Sequence, residues 1–326
     1  MKRLLLILLI ALCLMPTLAQ TSADDCNAGF RLVEHTLGAT CVPETPARIV
    51  PLDMTIVELL LIAGVEPVVT STLVLNTYAR MHPDLEETYT ALMENTPDMG
   101  FPPNIEVILD AEPDLIIGFR DFLSEGLYDD INEIVPTVLL EPAPGNWRER
   151  LIFAGDVLGM TDTVDELLAD YDARVEELRT LLGEDADEIE ISLVRALPGQ
   201  IGLVLEGTAA AGVLREVGLG RPEGQEVDYD YVLDALDGRP ELLISEEELR
   251  LADGDIVFVF GDSSELFDLP LWNALPAVAD ERAYEVGYYW WGDSLISAHA
   301  MLDDLFMYVA DAEPEHPNPF RPDADD

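Results

Sequence analysis

Two stretches decide the fold of this chain: PDLIIG at residues 113–118 and GDIVFVFG at residues 254–261. Each is apolar between an acidic residue and a glycine, and each follows a short acidic helical pattern, at residues 104–109 and 245–249. A strand that is apolar on both faces is typical of a parallel sheet covered by helices on both sides. Two such units far apart in the chain predict two α/β lobes with a cleft between them.

The segment between these units predicts the element that joins the lobes. Residues 147–158 form a helical pattern ended by Gly159, and residues 163–182 form a longer amphipathic pattern ended by Gly183. Twenty helical residues extend about 30 Å, which is enough to bridge two lobes. The expected fold class is therefore α/β, with two Rossmann-like lobes joined by a single long backbone helix.

Alternation of strand and helix in the first lobe predicts a parallel sheet with right-handed crossovers. Thr55 is expected to cap a helix over residues 56–63, with Glu58 completing a capping box. Residues 71–103 are irregular and are interpreted as a surface excursion of unassigned role. The other elements expected in this lobe are strands at 48–53, 65–70, 114–118 and 136–140, and helices at 104–109 and 124–133.

The N-terminus has the pattern of a secretory signal peptide. Lys2 and Arg3 precede a continuous apolar run at residues 4–14, and small residues follow before Gln20. That run is too short to span a bilayer. Lipid anchoring through Cys13 is an alternative, although a leucine precedes it where such signals favour a small residue. We expect export after cleavage at Ala19, and an extracytoplasmic location.

Charge and cysteine content limit the partners and the compartment. The chain has 326 residues, of which 17 are basic and 65 acidic, and its formal net charge of −48 repels nucleic acids and anionic lipid surfaces. Solubility or a saline habitat accounts for most of these acids. Beyond the leader only Cys26 and Cys41 remain. An exported pair predicts a disulfide-closed hairpin, stabilised by about 3 kcal/mol, and metal ligation would need further cysteines.

Candidate binding residues follow three expected strands, where open α/β sheets bind ligands. Arg120 follows the strand at 114–118, and Arg195 ends a strand at 191–195. Guanidinium groups and aromatic faces together suit a bulky, partly apolar, partly anionic ligand. Surface ion pairs and core packing are the alternative interpretations. The aromatic candidates follow a short strand at 283–286: Tyr288, Tyr289, Trp290 and Trp291.

Signals for catalysis are weak. The four histidines are scattered without metal-ligand spacing, and the chain has neither a Gly-rich phosphate loop nor a nucleophile elbow. We therefore expect a binding protein and not an enzyme, with no catalytic residue, no intrinsic cofactor and no metal held directly by the protein.

Several motifs, in order along the chain, resemble the extracytoplasmic substrate-binding proteins of iron–siderophore ABC importers, in the ferric-siderophore and cobalamin class of periplasmic binding proteins. The resemblance covers roughly residues 46–310. It is carried by RIVPLD at 48–53, ELL at 58–60, GVEPV at 64–68, PNIE at 103–106, PDLII at 113–117, GVL at 212–214, GL at 218–219, RP at 221–222, Trp272 and LPAV at 275–278.

The resemblance implies a class III fold with little hinge motion, and delivery of the loaded chelate to a membrane permease driven by an ATPase. It implies that one acidic residue on each lobe docks with permease arginines; Glu125 and Glu247 match those positions, and Arg195 matches a pocket arginine. An exposed pair of carboxylates on a rigid body fixes orientation on a partner as well as attraction.

The leading hypothesis is a monomeric protein that binds a ferric siderophore, with the iron held by the chelator. A catecholate or carboxylate chelate would best match the arginines, and a hydroxamate is the alternative. Cobalamin or haem on the same fold and an oxidoreductase subunit with stacked lobes are rival hypotheses. The expected division of the chain is signal peptide 1–19, disulfide hairpin 24–45, first lobe 46–145, connecting helices 146–183, second lobe 184–311 and a disordered acidic tail 312–326.

Overall fold

A disulfide-closed hairpin begins the described part of the chain. The computed structural model describes residues 26–119, 125–140 and 145–321, without the side chain of Glu125, so the expected signal peptide lies outside it. Strands β1 (Phe30–His35) and β2 (Gly38–Pro43) pair antiparallel. The expected disulfide between Cys26 and Cys41 is present, so neither sulfur is a free thiolate for a metal cluster.

The first lobe contains three parallel strands in the order β3–β4–β5. Its strands are β3 (Ile49–Pro51), β4 (Leu115–Phe119) and β5 (Thr137–Leu140). Its helices are α1 (Met54–Ile62), α2 (Thr72–Met81), α3 (Glu86–Asn95), α4 (Ile105–Asp110) and α5 (Glu125–Asn132). Strand β4 is buried along its whole length, as its continuous apolar pattern predicted.

Two helices link the lobes. They are α6 (Trp147–Leu158) and α7 (Thr161–Leu182), and α6 ends at Gly159, whose φ of 70° is a left-handed conformation that suits glycine. The buried stripe Tyr171, Val175 and Leu178 of α7 packs into the main core. The 22 residues of α7 form the expected rigid connection, about 33 Å long.

The second lobe is built on a five-stranded sheet in the order β10–β9–β6–β7–β8. Strands β10, β9 and β6 are parallel, whereas β7 and β8 are antiparallel to their neighbours. The strands are β6 (Ile191–Leu197), β7 (Gln200–Val204), β8 (Glu241–Ile244), β9 (Ile256–Gly261) and β10 (Ala283–Glu285). The helices are α8 (Ala209–Val217), α9 (Tyr229–Leu236), α10 (Ser264–Phe267), α11 (Pro276–Ala279) and α12 (Leu295–Leu305). None of the described helices combines the length and apolar character needed to cross a membrane.

Two local expectations in the first lobe are wrong. Residues 65–70 form no strand, only an isolated bridge between Thr70 and Asp98, since Pro67 cannot donate to a ladder. The region 71–103 is not a loose excursion but a helical hairpin, α2 and α3, with its own small core that contains Leu75 and Tyr89.

The tail also differs from the expected disorder as far as Arg321. Glu177 on α7 accepts hydrogen bonds from the backbone N–H of Glu315 (2.5 Å) and of His316 (3.2 Å). The buried guanidinium of Arg174 donates to the carbonyl oxygen of His316 at 3.0 Å. Composition predicted disorder because it contains no information on such contacts, in which the tail supplies a carbonyl acceptor to the buried Arg174 and N–H donors to Glu177.

Candidate functional site

The carboxyl ends of both sheets meet at a buried ion cluster around Arg150 of α6. Asp53 follows β3 in the first lobe, and Asp293 follows the aromatic turn of the second lobe, the 3₁₀ turn Tyr288–Trp291. Arg150 donates to the carbonyl oxygen of Asp293 at 2.6 Å and pairs with its carboxylate at 2.5 Å, while the Asp53 carboxylate lies 3.9 Å away. The N–H of Gly145 also donates to Asp293, and the ring of Phe119 lies 5.0 Å from the Arg150 guanidinium. One guanidinium therefore joins the two lobes.

Burial makes both carboxylates of this cluster harder to ionise. It raises the pKa of Asp53 and of Asp293, and the charge of Arg150 opposes the rise in each case. Asp53 has a second role, because its side chain accepts the Thr55 N–H at 2.9 Å and caps α1. The expected cap by Thr55, with Glu58 as its partner, is therefore wrong, because α1 begins earlier than the sequence pattern indicated.

The second-lobe wall is formed by Arg195 and its partners. Arg195 donates two hydrogen bonds to Glu241, at 2.7 and 2.6 Å, which is the bidentate geometry of a strong pair. The guanidinium lies 3.9 Å from the ring centroid of Trp291, in a cation–π contact. Gly202 lies opposite Arg195 in β7, and a Cβ there would be 2.0 Å from the Glu241 carboxylate, so the glycine leaves the space that the pair occupies.

Tyr288 and Phe260 complete this wall. Tyr288 contacts Phe260 edge-on, with ring centroids 5.9 Å apart, and Phe260 lies opposite Arg195 in the adjacent strand β9. Burial would lower the pKa of Arg195, but the hydrogen bonds and charge of Glu241, with a contribution from Tyr288, leave that pKa above its ordinary value. The guanidinium thus stays charged, with its charge matched by a carboxylate.

Trp290 and Tyr289 do not belong to this wall. Trp290 is 0% exposed, and its Nε1 donates to Asp304 at 2.7 Å, so its expected role as a ligand contact is corrected to a core role. The Tyr289 hydroxyl donates to the same carboxylate at 2.9 Å, and its ring stacks on His82 of the first lobe at 6.1 Å. Burial raises the pKa of Asp304 to about 6. These two hydrogen bonds attach the aromatic turn to Asp304 of helix α12.

The first-lobe wall is apolar and was not found from the sequence. A pocket of about 250 Å³ opens beside Asp53 and is lined by Val57, Val74, Tyr78 and Met99, among others. The helical spacing of Val74 and Tyr78, four residues apart, was the available signal, but it lay in the segment interpreted as irregular. A hydrocarbon portion of a ligand fits this wall.

A buried polar chain runs beside the pocket and crosses between the lobes. The Ser294 hydroxyl donates to Glu58 at 3.0 Å and lies 3.2 Å from the Ser297 hydroxyl, which lies 2.9 Å from His82 Nε2. Burial raises the pKa of Glu58 to about 8 and lowers the pKa of His82 to about 4. Both groups are therefore neutral near pH 7, so the buried chain carries no net charge between the lobes.

A groove of about 880 Å³ continues from Gly145 along α6 to α8 and α9 of the second lobe. Its two arginines are both paired: Arg148 with Asp172 at 2.5 Å and Arg215 with Glu206 at 2.5 Å. The described lining of the groove therefore adds no uncompensated cation to the region between the lobes.

Three of the expected site residues are not seen in the two walls, two of them because the structure does not describe their side chains. Arg120 lies outside the described residues, as does the side chain of Glu125, which begins α5. Glu247 is exposed on a 3₁₀ turn, Glu246–Ala252, where Glu248 forms the capping box with Ser245. In the ranges that the structure describes, no three His, Cys, Asp or Glu side chains converge as a metal site.

Comparisons with known proteins agree with this architecture. The chain is 28% identical over 306 residues to the probable siderophore-binding lipoprotein YfiY of Bacillus subtilis, with 89% of this chain and 91% of that protein covered. Its fold is similar to that of SirA from Staphylococcus aureus, solved with staphyloferrin B, at a TM-score of 0.68 and 24% identity, covering 85% of this chain and 98% of the other.

A second solved structure has the same fold. The siderophore periplasmic binding protein from the fuscachelin gene cluster of Thermobifida fusca is 24% identical, with a TM-score of 0.66 and coverage of 81% of this chain and 96% of that one. The family described as periplasmic binding protein matches residues 49–288. The chain belongs to that family, as its ordered motifs predicted.

Proposed function

We propose that this protein is an extracytoplasmic solute-binding protein, without catalytic activity, that captures a ferric siderophore between its lobes. The observation that carries the proposal is one candidate surface on each lobe: an apolar pocket of about 250 Å³ in the first lobe and the Arg195–Trp291 stack in the second. Such walls bind a bulky chelate through its outer surface. The iron arrives already coordinated, so the protein needs no metal ligand of its own.

The family and the relatives support the same function. The matched relative from Bacillus subtilis is named for siderophore binding, and a structural neighbour was solved with a siderophore. We infer delivery to the permease of an ABC importer with its cytoplasmic ATPase. Glu125 and Glu247 are the proposed docking carboxylates, and the exposure of Glu247 supports that role.

Titration of the mature protein with ferric siderophores, followed by tryptophan fluorescence, tests the proposal. We expect saturable quenching by a ferric chelate, because Trp291 lies against the proposed ligand. The variant Trp291→Phe should lose most of the quenching. The matched control Trp272→Phe should keep it, because Trp272 is buried in the separate core beneath the second sheet. Tight binding of another solute class, with no response to any ferric chelate, would contradict the function.

A further inference from the structure

The charges on the two walls indicate which ferric chelates this site accepts. Arg195 is matched by Glu241, and Arg150 by Asp53 and Asp293. Among the described residues of the two walls, each of these guanidinium groups therefore already has a carboxylate partner.

The pair of Arg195 and Glu241 is built into the sheet. The two residues project from β6 and β8, with β7 between them, and their side chains are only 15% and 11% exposed. The Glu241 carboxylate occupies the space above Gly202, where a Cβ on residue 202 would lie only 2.0 Å from it. Turning Glu241 away would empty that space and would leave the largely buried guanidinium of Arg195 without its carboxylate. We therefore expect the pair to persist when a ligand arrives.

The net charge of the whole protein also disfavours anionic ligands. The net charge is −48, and the chain has 65 acidic residues against 17 basic ones. Three catecholates on Fe³⁺ leave a chelate with three negative charges, whereas three hydroxamates leave it neutral, or cationic where the chelator carries an ammonium group. A trianion would be repelled at long range and would meet no unmatched cation among the described residues of the site.

We propose that the site selects ferric chelates of zero or positive net charge, of the trihydroxamate type, and that Glu241 sets this selectivity by neutralising Arg195. The inference rests on the proposed siderophore-binding function and names its substrate class. Trp291, which is partly exposed, and the apolar pocket then supply contact with an uncharged chelate, and the hydrogen-bonded pair orients it.

Comparing affinities for ferrioxamine B (cationic), ferrichrome (neutral) and ferric enterobactin (trianionic) tests the inference in the wild-type protein. We expect the two hydroxamates to bind at least about tenfold more tightly than the catecholate. Raising the ionic strength should strengthen catecholate binding by screening repulsion, and should change ferrichrome binding little.

The variant Glu241→Gln isolates the role of the pair. It should increase the affinity for ferric enterobactin by about tenfold and leave the affinity for ferrichrome within about threefold. The control Glu184→Gln removes one carboxylate from the exposed loop after α7 and should change neither affinity. Because the wild-type panel needs no variant, the inference stays testable if Glu241→Gln fails to fold.

The outcomes separate the two proposals. A wild-type preference for the catecholate would overturn the inference and leave siderophore capture intact. An unchanged hydroxamate-to-catecholate ratio in folded Glu241→Gln would overturn the role of Glu241. Binding of none of the three chelates, nor of ferric citrate added as a fourth probe, would overturn the proposed function and this inference with it.

Discussion

The two walls of the site differ in chemistry and in how they are stabilised. The first-lobe wall is an apolar pocket beside a helical hairpin, whereas the second-lobe wall is an ion pair under an indole, projecting from a sheet. Apolar contact tolerates many shapes, but a bidentate pair has a fixed direction. The difference indicates that the second lobe sets ligand orientation and charge, and that the first lobe supplies contact area.

The buried ion cluster of Arg150, Asp53 and Asp293, at the seam between the lobes, gives the largest expected effect. Replacing Arg150 by Met should destabilise the protein by about 3 kcal/mol, because it leaves two buried carboxylates, Asp53 and Asp293, without a counterion. Urea denaturation measures the loss. The control Arg179→Met, on α7, should cost less than about 1 kcal/mol, because its pair with Glu176 is exposed. Equal losses would mean that the lobes do not depend on this seam.

The buried Glu58 gives the next effect, through pH. Its folded-state pKa is about 8 and the ordinary value is 4.5, so between these values the folded protein holds a proton that the unfolded chain has released. Stability therefore falls as pH rises through this window. From pH 6.5 to 8 the loss should be about 2 kcal/mol.

The variant Glu58→Gln should remove that slope, because an amide has no proton to release there. Urea denaturation at several pH values measures it, with Glu94→Gln, on the exposed side of α3, as the control. Above pH 6.5 His82 contributes little to the slope, because burial lowers its pKa to about 4 and its change of charge on unfolding falls below that pH. A slope that survives in Glu58→Gln would show that another group accounts for it.

Local sequence patterns predicted several strands and the connecting helices α6 and α7, because continuous apolar runs and helical spacing are local signals. Strands β4 and β9, helix α6 and most of α7 lie where those patterns placed them. The role of Glu58 was missed because its partner Ser294 lies 236 residues away, and no local spacing encodes that contact. Position alone could not distinguish Trp290 from Trp291 either, since neighbours in a 3₁₀ turn face different surroundings.

The pairing of Arg195 is a similar case. Because Arg195 ends a strand, we expected its guanidinium to be free to bind a ligand, and we therefore expected the ligand to be anionic. Glu241 lies in β8, a strand that the sequence patterns did not reveal, and Gly202 makes room for it from a third strand. The net charge of a site depends on such neighbours in adjacent strands. Only the pairing register of the strands brings them together, and local sequence patterns do not encode it.

A substitution in the apolar first-lobe wall gives the smallest expected effect, and it tests that wall separately from the second lobe. Replacing Val74 by Asp places a carboxylate in the pocket and should weaken ferrichrome binding by about tenfold, since burying one valine contributes about 1.5 kcal/mol. The control is Leu73→Asp, one residue earlier on α2, where the side chain is 58% exposed and lies outside the pocket. Fluorescence titration measures both affinities. Similar weakening by both variants would mean that the added carboxylate acts at long range. The apolar pocket would then not contact the ligand.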